Sequence, residues 1–241
     1  MVNTVRLRQD MHSEYIGQMD KKVSQTMTGL LLLIIGLLLG WIPYILYIGG
    51  ILELIGVILI IIGRDAFGVR HGKYVIYAVV IYVTGFAAEF ILGFSFGVTI
   101  TSATLGGVTP HNALATIMQA FESLLWGSLV VSAVLGISTV MLVYQLEEAN
   151  GRMLLWVAFA AQIAAGTAGI IIIGPLISHA IALAFASSPP DLTPILNLDN
   201  ELTSLRILNA IPSVIFAFAY YLAWKRIKPG IISRSETLQM P

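Results

Sequence analysis

Apolar residues run along this chain in blocks longer than soluble helices need, and the polar residues collect between them. Between Lys22 and Arg64 the only charged residue is Glu53. A helix needs about 20 residues to cross the hydrocarbon core, so this stretch predicts two spans. The turn between them falls at Trp41-Ile42-Pro43 or at Gly49-Gly50. The glycine choice leaves the second helix only about 13 residues, or ~20 Å. The proline choice leaves two full-length segments and puts a proline in a first helical turn, where it is tolerated, so it is preferred. The same reasoning places spans at about 23–41, 43–63, 74–97, 124–144, 153–174 and 204–224. The fourth is preceded by an amphipathic extension, 112–123, with Gln119, Glu122 and Ser123 set among Leu114, Ile117 and Phe121. The fifth continues into a second extension, 175–187. The expected fold class is all-α: a polytopic domain of six membrane helices over 23–226, flanked by segments 1–22 and 227–241.

The basic residues set the expected orientation, because Lys and Arg collect on the cytoplasmic side. With both termini inside, 12 of the 13 basic residues fall on that side and Arg206 alone lies outside. The outer loop 187–203 contains no Lys or Arg. Tyr74, Tyr144, Trp156, Tyr220, Tyr221 and Trp224 fall at the inner ends of spans, as an interfacial aromatic belt should. The N-terminal segment carries Asp10, Glu14 and Asp20 and has no cleavage pattern, so it is expected to be retained. Met11, Tyr15, Met19 and Val23 recur every four residues, which suits a short surface helix; a disordered lead-in remains equally open.

Composition agrees. The chain is 57% hydrophobic and 11% charged, with a mean hydropathy of +0.88. A soluble domain carries about a quarter charged residues, so lipid is the expected main solvent and the cell membrane the expected location. Formal net charge is zero, so no charge argument points to nucleic acid. No cysteine is present, which excludes disulfides and thiolate metal sites.

Without a hydrophobic reward for association in lipid, small residues decide where helices meet. Ser128, Ser132 and Gly136 are spaced by four in the fourth span, and Ala161, Ala165 and Gly169 in the fifth. The short connection LEEANG (146–151) forces an antiparallel hairpin, in which the two small faces come into register. Gly29, Gly36 and Gly40, with Gly49, Gly56 and Gly63, suggest a similar close contact between the first two spans.

Polar residues inside the spans are the candidate chemistry. Glu89 lies in the outer third of the third span, Glu53 near the middle of the second, and Glu122 at the outer boundary of the fourth. No Lys or Arg lies at comparable depth. A carboxyl in hydrocarbon must protonate, face water, bind a cation or accept hydrogen bonds, and intramembrane carboxylates are functional candidates by default. A neutral acid bonded to a neighbouring helix is the competing explanation for Glu53 and Glu89, and interfacial solvation for Glu122. His179 comes opposite residue 118 in the hairpin register, about one turn from Glu122, so these two form a candidate pair. Pro175 and Pro212, the latter three residues after Asn209, free backbone carbonyls in the same outer half. Glu53, Glu89, Glu122, His179 and Asn209 therefore make up the candidate ion or polar site.

Other chemistry is weakly signalled. His111 and His179 would differ in height by roughly 10 Å on straight helices, which argues against a bis-His haem. GVRHGK (68–73) is one residue short of a phosphate-binding loop and lacks its Ser or Thr. Arg64, Arg70, His71 and Lys73 are instead expected beside anionic lipid headgroups. No catalytic motif or metal-ligand spacing is present, so no cofactor and no metal are expected.

The stretch GLLLLIIGLLLGWIPYILYIGGILELIGVILIIIG (29–63) resembles the opening of archaeal multi-pass membrane proteins of unknown function. It is similar to them in a first hairpin built around an IPY turn, a glycine-spaced Ile/Leu helix and a short charged loop. The resemblance implies a six-helix membrane protein and no activity. Two functional classes follow. One is a structural or accessory subunit, with other membrane subunits or further copies as partners. The other is a small transporter or channel for protons, cations or a solute. The absence of a catalytic set and the tiny loops favour the first.

Overall fold

The computed structural model describes residues 2–40, 42, 45–105, 110–186, 193–194, 208 and 210–227. Among these every extended element is helical and none is a strand. The helices are α1 (Val2–Leu39), α2 (Leu46–Gly63), α3 (Val69–Leu105), α4 (Pro110–Val143) and α5 (Ala149–Ala186), with a further helical stretch, α6, over 210–227. Five of them are long and apolar enough to cross a membrane. The 38 residues of α1 and of α5 correspond to about 57 Å each, well beyond the ~30 Å hydrocarbon core. The N-terminal segment continues into the first span as one helix. The extensions at 112–123 and 175–186 are likewise continuous with their spans, Pro175 lying inside α5.

The breaks follow local chemistry. A 3-10 turn, Arg64–Phe67, follows α2 and ends at Gly68, whose φ of 91° is a conformation that favours glycine. Pro110 opens α4, where its missing N–H costs nothing. A second 3-10 turn, Tyr144–Leu146, leads to Glu147 in extended conformation and so reverses the chain into α5.

The chain divides into two compact units. The first takes residues 1–78, 140–156 and 213–241; the second takes 79–139 and 157–212. Twelve basic and eight acidic residues belong to the first, one basic and five acidic to the second. In the first unit α1 and α2 form an antiparallel hairpin built on glycine. A Cβ at Gly29 would stand 2.7 Å from Gly56 O, and one at Gly56 would stand 2.7 Å from Gly29 O. Gly36 and Gly49 repeat the arrangement at 2.8 Å in both directions. Thr26 Oγ1 takes the space a Cβ at Gly63 would need. These glycines recur every seven residues, so one face of each helix meets the other along its length. Leu30, Ile60, Val75, Val143, Leu155 and Tyr220 are fully buried in this unit.

In the second unit α4 packs on α5 and α3. Gln162 donates to Ser132 O at 3.1 Å and to Ser132 Oγ at 3.0 Å. A Cβ at Gly136 would meet Phe159 at 2.8 Å and Gln162 at 2.9 Å, and one at Gly166 would meet Leu129 at 2.8 Å. Ser132 and Gly136 thus face α5 as the spacing predicts, against Gln162 and Phe159. Ala161, Ala165, Gly169 and Ser128 are half-buried. Further along, Ala103, Ala113, Ile117, Phe121 and Ile181 form a buried apolar cluster.

Candidate functional site

Glu89, Glu122 and His179 are each exposed on their helices. Among the described residues no hydrogen bond or ion pair joins Glu122 to His179, so the pair proposed from the hairpin register is not formed. Both side chains are exposed, while the buried positions beside them are the apolar Phe121, Ala180 and Ile181. Asn209, Arg206, Asp199 and Glu201 lie outside the described residues, as does the side chain of His111.

Glu53 is half-buried in the α1–α2 contact. Its Cγ occupies the space a Cβ at Gly36 would need, 2.6 Å away, and its Oε1 lies 3.6 Å from a Cβ built at Gly40. The two glycines therefore make room for a carboxyl in the hairpin.

Glu89 has the opposite setting. Phe86, Phe90 and Phe94 around it are 60%, 69% and 65% exposed. Gly93 and Gly97 follow at intervals of four, on the same helix face, and nothing lies within 4 Å of a Cβ built on either. The face of α3 is thus apolar and open, with one carboxyl and a flat strip of backbone in it.

A third cluster lies where α4 turns into α5. Glu147 is 3% exposed, and its Oε1 has no hydrogen-bond partner. Its other oxygen packs on Gly151, where a side chain would not fit. Burial pushes its pKa up to about 6, against the backbone at Ala223 and Glu148 and the Arg226 charge, which act to lower it. Arg226 ties α6 to this turn, donating to Leu146 O at 3.0 Å and pairing with Glu148 at 3.4 Å. Arg152 donates to Tyr144 O at 3.1 Å and lies 4.9 Å from the Tyr144 ring centroid, and that ring stacks on Tyr74. A cavity of about 400 Å³ opens here, lined by Glu147, Glu148, Asn150, Gly151, Leu222, Lys225 and Arg226. Sequence reasoning treated this turn only as a short connection. The signal available was a pair of adjacent acids directly before a membrane helix, with a glycine four residues after the first.

The charged turn before α3 is more varied than expected. Lys22 and Arg64 both reach Asp65, at 3.3 and 3.6 Å. Arg70 and Lys73 are exposed. His71 is not with them: it is 1% exposed, its ring set edge-on to Phe67 at 5.4 Å. The helix period turns residue 71 inward, while 70 and 73 stay outside.

Among the described residues no group of three His, Cys, Asp or Glu side chains is placed to hold a metal ion. Comparison of the chain with protein-family models, with curated proteins and with solved structures finds no match.

Proposed function

We propose that this is a multi-pass protein of the cell membrane, with six spans and both termini cytoplasmic, that serves as a structural or accessory subunit of a larger membrane assembly. The observation that carries this is Glu89 on the open face of α3. A charged side chain costs about 2.5–3.5 kcal/mol at the centre of a membrane helix on insertion scales, and Glu89, in the outer third of its span, bears part of that cost. A neighbouring helix that offers the carboxyl a donor offsets that cost. Gly93 and Gly97 let such a helix approach closely, as small residues four apart do in membrane dimers. The excess of basic residues in one unit and of acidic residues in the other supports the orientation. The likeness of residues 29–63 to archaeal multi-pass proteins supports the architecture and adds no activity.

The test is purification of the tagged protein in mild detergent from its own cells, with mass spectrometry of what accompanies it. Stoichiometric partner polypeptides are expected, and Gly93→Leu should release them while the protein stays folded. Recovery alone or as a homo-oligomer would contradict the proposal. It would favour a translocating role for the carboxyls, to be followed by a liposome flux assay of Glu89→Gln.

A further inference from the structure

The cavity at the α4–α5 turn has the makings of a ligand site that the assembly role does not use. Its lining holds two carboxylates, Glu147 and Glu148, and two cations, Lys225 and Arg226. The opposite charges balance, so neither a bare anion nor a bare cation is matched by the walls as a whole. A zwitterion is. Arg226 is already engaged with Leu146 O and Glu148, whereas Lys225 is exposed on α6. Glu147 is almost wholly buried, yet one of its oxygens has no donor, an arrangement that a folded protein normally avoids. The apolar part of the lining is Leu222. The cavity also sits where apolar helices end: candidate spans stop at Leu146 and restart at Ala149, a level at which phospholipid headgroups lie.

We infer that this cavity binds a headgroup carrying both a primary ammonium and a phosphate, of the phosphoethanolamine type. The ammonium donates to Glu147 and is held by its charge and that of Glu148. The phosphate pairs with Lys225, and the first carbons of the lipid lie along Leu222. A quaternary ammonium has no N–H to donate, so phosphocholine leaves the Glu147 oxygen unpaired and is discriminated against. The chemistry itself is indifferent to whether the group arrives on a lipid or as a free solute; the lipid source rests on the membrane placement proposed above.

The full-length protein, delipidated in detergent, would be exposed to equal amounts of phosphatidylethanolamine and phosphatidylcholine with identical acyl chains. Bound lipid would be counted by native mass spectrometry. A charge-assisted hydrogen bond gained by one lipid only should appear as roughly a tenfold preference for phosphatidylethanolamine. Glu147→Gln should bring that ratio close to one, whereas Lys225→Ala, which removes the partner of the phosphate common to both lipids, should lower the occupancy of both and leave the ratio in place. The second replaces an exposed residue, so it keeps the test open should the first fail to fold. A parallel arm measures the melting shift with soluble O-phosphoethanolamine against phosphocholine. Selective stabilisation there without lipid selectivity would uphold the site and overturn the lipid source. Absence of selectivity in both arms, selectivity that survives Glu147→Gln, or lipid occupancy that Lys225→Ala leaves unchanged would overturn the site.

Discussion

Replacing Gly29 by alanine tests the glycine hairpin on a single methyl group. The added carbon would stand 2.7 Å from Gly56 O, 2.9 Å from Ile60 Cγ1 and 3.2 Å from Ile60 N, where ordinary contact begins at 3.4 Å. Two of these atoms are backbone, so no rotamer change clears them. The helices must part by about 0.7 Å at this level, the shortfall between those two distances. Overpacking of this kind costs roughly 1–3 kcal/mol. Alanine also favours the helix over glycine by up to about 1 kcal/mol, which would mask part of the loss if Gly29→Ala were compared with wild type alone. Gly50→Ala is the internal standard, since it lies in α2 with nothing within 4 Å and receives the propensity gain without a clash. The difference between the two variants is therefore the packing cost, about 1–3 kcal/mol, with Gly29→Ala the less stable. Unfolding in detergent by titration with sodium dodecyl sulfate, followed by circular dichroism, reads it directly. Equal stabilities would refute the backbone contact.

Two further outcomes are expected. Because burial raises the Glu147 pKa from 4.5 to about 6, the folded state binds the proton more tightly than the unfolded chain. Its contribution is fully present below pH 4.5 and is lost as pH rises through 6. At one pKa unit per 1.36 kcal/mol, the ionised form carries a cost of roughly 2 kcal/mol at neutral pH. Glu147→Gln, in lipid-free detergent at pH 7.5, should therefore unfold later than wild type and lose the slope in stability between those pH values; an unchanged slope would count against it. Gln162→Leu removes both bonds to Ser132 and should destabilise by about 0.6 kcal/mol, at most ~1.7, the range for interhelical bonds in membranes. A Leu variant as stable as wild type would show that α4 and α5 do not depend on that contact.

The helical class was readable because length and apolarity fix it: in lipid the backbone must satisfy itself, and a run such as 23–63 admits few other solutions. A close glycine contact between the first two helices was readable for a related reason, since residues seven apart share one helix face, whereas the pairing of 29 with 56 and 36 with 49 appears only in the structure. The partner face on α5 was missed by one position. Gln162 and Phe159 outcompete Ala161 because a long polar side chain can reach the Ser132 carbonyl and fill the notch at Gly136. The distribution of acids was the least readable. Depth along a helix follows from sequence, but rotation about its axis depends on which neighbours are present. Glu53 turns into a glycine-lined contact and Glu89 onto an open face, though each is a lone acid in an apolar run. Glu147 was hidden because charged residues in a short turn ordinarily face water; here Gly151 and α6 close over it.

Whether a protein helix covers α3 at the level of Glu89 can be read in intact membranes by photo-cross-linking from position 90. Phe90 is 69% exposed, so a benzoyl-phenylalanine there replaces one aromatic ring with a larger one on the open face. Tyr47 on α2, 77% exposed, supplies a control position on another helix. A discrete polypeptide adduct from position 90, lost in Gly93→Leu, is expected of a subunit bound along this face. Lipid adducts alone from position 90, matching those from position 47, would contradict it.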